Sequence, residues 1–184
     1  MKPERVILGI DPGTNIMGYG LIQQKGHSIT FLSLGVIKLN KYDNQPLKLK
    51  IIFERTLGLI NEYKPDELAI EAPFYGKNIQ SMLKLGRAQG VAMAAALYRS
   101  VPIFEYTPKK IKQAITGKGS ASKEQVAAML IRLLALKEPP EYLDSTDALG
   151  VAVCHFFQRT MENKGMNYSG WEQFVKKNPD RLTK

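Results

Sequence analysis

Residues Arg5 to Ile10 form a nearly continuous apolar run that predicts a buried strand, closed by Asp11-Pro12-Gly13. Met17 to Gln23 predicts a second strand and Ile29 to Leu39 a third, with Lys25-Gly26-His27 at the turn between them. Short glycine-containing turns between apolar runs read as antiparallel hairpins, and His27 in such a turn is expected to be solvated. From Leu47 to Tyr63 the apolar positions Leu47, Ile51, Ile52, Leu59 and Ile60 follow helical spacing until Pro65 ends it, which predicts a covering helix. Glu67-Leu68-Ala69-Ile70-Glu71 is a short apolar strand that, like the first, finishes on a carboxylate, and the loop Ala72-Pro73-Phe74-Tyr75-Gly76 follows it. Asn78 to Tyr98 carries the longest helical pattern, and Val101 to Tyr106 another strand. Ser122 and Gln125 have the spacing of a capping box for a helix running to about Leu136. Pro139-Pro140 blocks any continuation, and Glu141 to Asp147 opens a last core helix that runs through Phe157. Cys154 and His155 on that helix are expected in the core or at the surface rather than as ligands.

Two strands that end on acids, with helices before and after, suggest an α/β domain with a polar site at one sheet edge. A chain of 184 residues fits one such domain. It is expected to cover residues 1–159, with a basic, partly disordered tail over 160–184, where Gly165, Gly170 and Pro179 interrupt a polar stretch.

Charge adds the nature of the partner. Against 17 Asp and Glu stand 26 Lys and Arg, a net charge of +9 that favours an anionic partner, nucleic acid first. From Glu105 to Lys137 seven basic residues face only Glu105 and Glu124. Within that segment the Gly/Ser loop carrying Lys118 leads to Lys123 at a helix start, an arrangement suited to phosphate but without the spacing of a nucleotide triphosphate loop. Lys84 and Arg87 lie on the long helix and Lys77 just before it, in a stretch without acids that can meet phosphates along one face. Its small residues, among them Gly86, Ala88, Gly90 and Ala92, suit either internal packing or a subunit interface. The single Cys154 forms no internal disulfide, and no signal segment or apolar run of membrane-spanning length occurs, so a soluble cytoplasmic protein without membrane contact is expected.

Four acids stand out by position. Asp11 and Glu71 end strands, and Asp144 and Asp147, three residues apart, share one face of a helix start. Each has a plainer reading: a turn at Asp11-Pro12-Gly13, a solvated strand end at Glu71, a helix cap at Asp144. Taken together, converging carboxylates suit divalent magnesium, which takes oxygen ligands and keeps water for substrate, and two such ions support phosphodiester hydrolysis.

Five motifs, in order and spacing, resemble the RuvC family of Holliday junction resolvases: Ile10-Asp11-Pro12-Gly13, Ala69-Ile70-Glu71-Ala72-Pro73-Phe74, Leu83 through Gly90, Gly117 through Lys123, and Asp144-Ser145-Thr146-Asp147-Ala148-Leu149. The resemblance covers about Arg5 to Gln158. It implies a ribonuclease H-like mixed sheet flanked by helices and a homodimer, built partly on the long basic helix, that binds four-way junction DNA. It further implies paired nicks in strands of like polarity, leaving 5′-phosphate and 3′-hydroxyl ends for homologous recombination and DNA repair. By motif position Asp11, Glu71, Asp144 and Asp147 look like the catalytic metal ligands for two Mg2+ per active site, with Mn2+ as substitute. Lys112 and Lys123 fall where the family contacts DNA, and Phe74 where an aromatic stacks on a base. A branch-migration complex of RuvA and RuvB type proteins is the implied partner. A ribonuclease H-like nuclease of another substrate class, such as a YqgF-type RNA nuclease, is the alternative. An actin-like ATP-binding protein fits less well, because that architecture needs two domains.

Overall fold

The computed structural model describes residues 4–73, 78–136 and 140–163, the last three by backbone alone. Three antiparallel strands, β1 (Glu4–Asp11), β2 (Ile16–Lys25) and β3 (Ser28–Lys38), are followed by helix α1 (Gln45–Tyr63), strand β4 (Glu67–Glu71) and helix α2 (Ile79–Tyr98). Strand β5 (Ile103–Tyr106) and helices α3 (Pro108–Thr116), α4 (Lys123–Leu133) and α5 (Leu143–Asn163) complete the described chain. The sheet order is β3-β2-β1-β4-β5, with β4 parallel to both β1 and β5. This is the mixed sheet flanked by helices that the sequence predicts.

Strand side chains alternate between the two faces of a sheet, and that alternation sorts this molecule into two cores. Leu8, Ile10, Met17, Leu21, Leu68 and Ile70 pack beneath α1 and α2 with Ile52, Ala88, Ala92 and Ala96. Ile7, Ile22 and Ala69 pack on the opposite face with α3, α4 and α5, through Ile111, Leu130, Leu149 and Val153. The small residues of α2 divide accordingly. Ala88, Ala92, Ala95 and Ala96 are buried inside the subunit, whereas a Cβ at Gly86 or Gly90 would meet nothing within 4 Å.

Beyond differences of one or two residues at element ends, the structure departs from the predicted elements in three places. Residues 108–116, read only as basic sequence, form α3: the Thr107 side chain accepts from Lys110 N at 3.3 Å, Pro108 sits in the first turn, and Gly117 closes the helix at φ 75°. A Thr-Pro start and a glycine stop were the available signals, in a segment too short and too rich in lysine for its two buried positions, Ile111 and Ile115, to stand out. Helix α4 ends at Leu133, short of Leu136, although both arms of its predicted capping box are present. Helix α5 continues past Phe157 and Thr160 to Asn163, because its buried stripe holds it against the sheet over most of its length. Residues 164–184 of the expected tail, and the predicted DNA contacts Phe74 and Lys77, lie outside the described residues. Among the described residues no helix is long and apolar enough to cross a membrane.

Candidate metal centre

On β1, Ile7 and Gly9 face α5, so two-residue alternation turns Asp11 toward the same helix. On β4, Glu67 and Ala69 do the same, which sets Glu71 on that face as well. The parallel register pairs Ile10 with Ile70, leaving Asp11 and Glu71 one step further on at the carboxyl ends of neighbouring strands. Open α/β sheets commonly bind ligands at this edge.

Helix α5 brings the other two acids, and glycines decide how close it comes. Asp11 pairs with Gly18 and Gly9 with Gly20 across the β1–β2 ladder, which makes a side-chain-free groove on the α5 face. A Cβ at Gly18 would stand 2.0 Å from the Asp144 carbonyl oxygen, and one at Gly9 2.1 Å from that of Ala148. The helix backbone therefore rests directly on the strands, with its first turn beside the end of β1. One carboxylate oxygen from each of Asp11, Asp144 and Asp147 lies within 4.8 Å of the others. Three hard oxygen donors at this spacing fit a divalent cation such as magnesium or manganese.

Electrostatics support the same fit. Burial, then the charges of Glu71, Asp147 and Asp144, push Asp11 up to about 8 against the opposing pull of Lys123. Burial and the Asp147 charge push Glu71 up to about 7, with Lys123 and Lys112 opposing. Lys123 donates a hydrogen bond to Asp147 Oδ2. Burial works against its charge, but the bond and the charges of Asp147, Asp11 and Asp144 outweigh burial and raise its pKa. The cleft has a volume of about 170 Å3 and is lined by Asp11, Glu71 and Asp147, by Lys112 and Lys123, and by apolar Ile111 and Val126. It is an anionic floor bordered by two cations, the arrangement that receives a phosphate once the floor is neutralised.

A proton linkage follows. Both raised carboxyls hold protons in the folded state that the unfolded chain has already released, so without metal stability falls as pH climbs from the ordinary carboxylate range near 4 to about 8. The thermal midpoint of metal-free protein should decline from pH 5 to pH 8, and added divalent metal should restore it most at the alkaline end. Calorimetry at pH 7 in buffers of different ionisation enthalpy should register proton release on metal binding. A flat midpoint and no proton release would contradict the assignment.

The structure gathers six of the predicted residues around this cleft: Asp11, Glu71, Asp144, Asp147, Lys112 and Lys123. Lys84 and Arg87 on α2 and Lys118 in the loop before α4 are exposed and do not line it. His27 is exposed, as expected of a turn. Cys154 is a buried core thiol that burial pushes up to about 12. Sequence reasoning missed Gln89, whose side-chain amide donates to the Glu71 backbone oxygen at 3.3 Å and to Glu105 Oε2 at 2.9 Å. It also missed that His155, fully buried, bonds to Glu67 and Tyr106. A glutamine or histidine within an apolar helical stretch is visible in the sequence, but its partners, 16 to 88 positions away, are not.

A sequence profile described as "Crossover junction endodeoxyribonuclease RuvC" matches residues 7–155. A protein of that name from Cytophaga hutchinsonii is 62% identical over 179 residues, spanning 97% of this chain and 88% of the relative. One from Christiangramia forsetii is 59% identical, over 99% and 95% of the two chains. Among solved structures, Thermus thermophilus RuvC in complex with Holliday junction substrate superposes with a TM-score of 0.80 at 33% identity, covering 86% of this chain and 96% of that one.

Proposed function

The chain belongs to the RuvC family of crossover junction endodeoxyribonucleases, and from that premise we propose that it resolves four-way DNA junctions by paired nicks at a centre built from Asp11, Glu71, Asp144 and Asp147. The fold is ribonuclease H-like, and the activity is phosphodiester hydrolysis. The observation that carries the reading is the meeting of Asp11, Asp144 and Asp147 oxygens within 4.8 Å, at a strand edge flanked by Lys112 and Lys123.

In this reading Asp11, Glu71, Asp144 and Asp147 hold divalent magnesium, two ions per site, with manganese able to substitute. Bound ions of this kind activate an attacking water and stabilise the leaving oxygen of a phosphodiester. Lys123 and Lys112, at the border of the acids, would draw the scissile phosphate toward them, and Lys123, which donates to Asp147 in this structure, would be available to the phosphate if that carboxylate were to hold a metal. Ile111 and Val126 form an apolar part of the wall, so that the phosphate is held by a few directed contacts. The cut leaves 5′-phosphate and 3′-hydroxyl ends.

A homodimer would place two such centres on strands of like polarity. Support comes from α2, whose Ile79, Leu83, Leu97 and Tyr98 are 54 to 67% exposed, an unusual density of large apolar groups on one helix. Lys84 and Arg87 on that helix, Lys77, Lys118, and by motif position Phe74 would extend the DNA surface, with Phe74 stacking on a base at the crossover. Residues 1–159 form the resolvase domain. The protein acts in the cytoplasm beside a branch-migration complex of RuvA and RuvB type.

A synthetic four-way junction labelled on each strand, incubated with magnesium, should yield symmetric nicks in two strands of like polarity, and linear duplex of the same sequence should be cut far more slowly. Equal cutting of duplex, or no cutting with either magnesium or manganese, would overturn the reading.

A further inference from the structure

The glycine groove fixes how near α5 lies to the sheet, but it contains no side chain to make a directed contact with the helix. A directed contact exists two turns beyond Asp147. His155, on α5 and fully buried, places Nε2 2.8 Å from Glu67 Oε2 and Nδ1 2.7 Å from the Tyr106 hydroxyl. Its ring also stacks against Phe104 of β5, with centroids 4.4 Å apart. Glu67, a carboxylate whose side chain is only 7% exposed, is further held by Arg159 Nη2 at 2.9 Å and Arg5 Nη1 at 3.3 Å. An acceptor-only carboxylate assigns a hydrogen to Nε2, so the ring donates to Glu67 on one side and meets the Tyr106 hydroxyl on the other.

The two partners of His155 lie on the strands that build the far half of the cleft. Glu67 begins β4, and Glu71 ends it on the same face. Tyr106 pairs with Glu71 across the β4–β5 ladder, and its backbone oxygen accepts from Ala72 N at 2.9 Å. Thr107, next in the chain, caps α3, the helix that carries Lys112. Helix α5 is thereby tied to Glu71 and to Lys112 through one imidazole.

We propose that the Tyr106–His155–Glu67 chain is a positioning device for the metal centre, setting where Asp144 and Asp147 stand along the sheet relative to Glu71. These residues touch neither metal nor DNA; they act through the ligands. The inference rests on the metal-centre reading above.

Tyr106→Phe removes one hydroxyl and keeps the ring. In protein shown by circular dichroism to be folded at the assay temperature, it should weaken Mn2+ binding, read by electron paramagnetic resonance on protein alone, by about tenfold, the size of effect seen when supporting partners of metal ligands are lost. Single-turnover junction cleavage at saturating magnesium should fall by a similar factor, while junction binding without metal stays within about twofold. A merely structural role would lower the melting temperature and leave Mn2+ affinity unchanged, and that result would overturn the proposal. Should Tyr106→Phe fail to fold, His155→Asn, whose amide keeps a partner for the Tyr106 hydroxyl but abandons Glu67, is read by the same two measurements with the same expectation. Wild-type protein that binds no Mn2+ and cuts no junction would remove the metal-centre reading itself; wild type active in both assays beside an unaltered variant would remove only the positioning role.

Discussion

Asp11→Asn is expected to slow junction cleavage by at least about 10³-fold, a barrier increase of about 4 kcal/mol, while leaving the protein folded and able to bind a junction. Asparagine keeps the shape of the carboxyl group and one oxygen but removes the charge that a hard divalent cation requires. Asp11 is the natural choice because it is one of the three donors that converge and is the acid whose ionisation the fold opposes most, its pKa standing at about 8. The same fact predicts the stability of the variant. A neutral amide spares the folded chain the charge repulsion from Glu71, Asp147 and Asp144, so metal-free Asp11→Asn should melt no lower than the parent, and higher above pH 8. Single-turnover kinetics, gel-shift titration without metal and a melting curve give the three readouts. Lost junction binding by folded protein would mean that Asp11 serves structure instead.

Gly18→Ala should cost about 10²-fold in cleavage without touching an acid. The added methyl would lie 2.0 Å from the Asp144 oxygen and 2.6 Å from its carbonyl carbon, so the start of α5 must lift off β2. A displacement of about 1 Å at reacting groups is enough for a loss of that size, and overpacking of this kind costs about 1–3 kcal/mol in stability. Gly58 in α1 is the control: a Cβ there meets nothing within 4 Å, so Gly58→Ala should leave cleavage unchanged and raise stability by about 0.5–1 kcal/mol through helix propensity. Equal cleavage by the Gly18 and Gly58 variants would show that α5 has room to adjust.

Much of this architecture was legible in the chain because it depends on local pattern. β4 has the predicted limits, β1 to β3 and α2 differ by a residue or two at their ends, and Asp11 and Glu71 were visible as acids closing apolar runs. Asp144 and Asp147 were visible as a helical pair, and the capping box placed α4. What escaped depends on pairs distant in sequence. Gly18 and Gly20 looked like ordinary strand residues, and only the register that sets them beside Asp11 and Gly9 makes a groove of them. His155 and Glu67 are separated by 88 positions, and burial alone turns each into a required partner of the other. Helix α3 was lost for another reason: nine residues with two buried positions give periodicity too little to work with.

The alternation that sorts β1 and β4 between two cores has a consequence for how this chain can change length. Inserting one residue within either strand reverses the parity of everything beyond it, so that the carboxylate of Asp11 or Glu71 enters the apolar layer under α1 and α2 while Ile10 or Ile70 takes its place at the cleft; deleting one has the same effect on the acid and brings Pro12 or Ala72 to the cleft. Even a two-residue change, which conserves parity, shifts the acid by about 7 Å along the strand and out of reach of Asp144 and Asp147. The strands that end at the centre therefore behave as fixed-length rulers read in steps of two, and variation in length among working relatives must fall outside them, in the connections between elements.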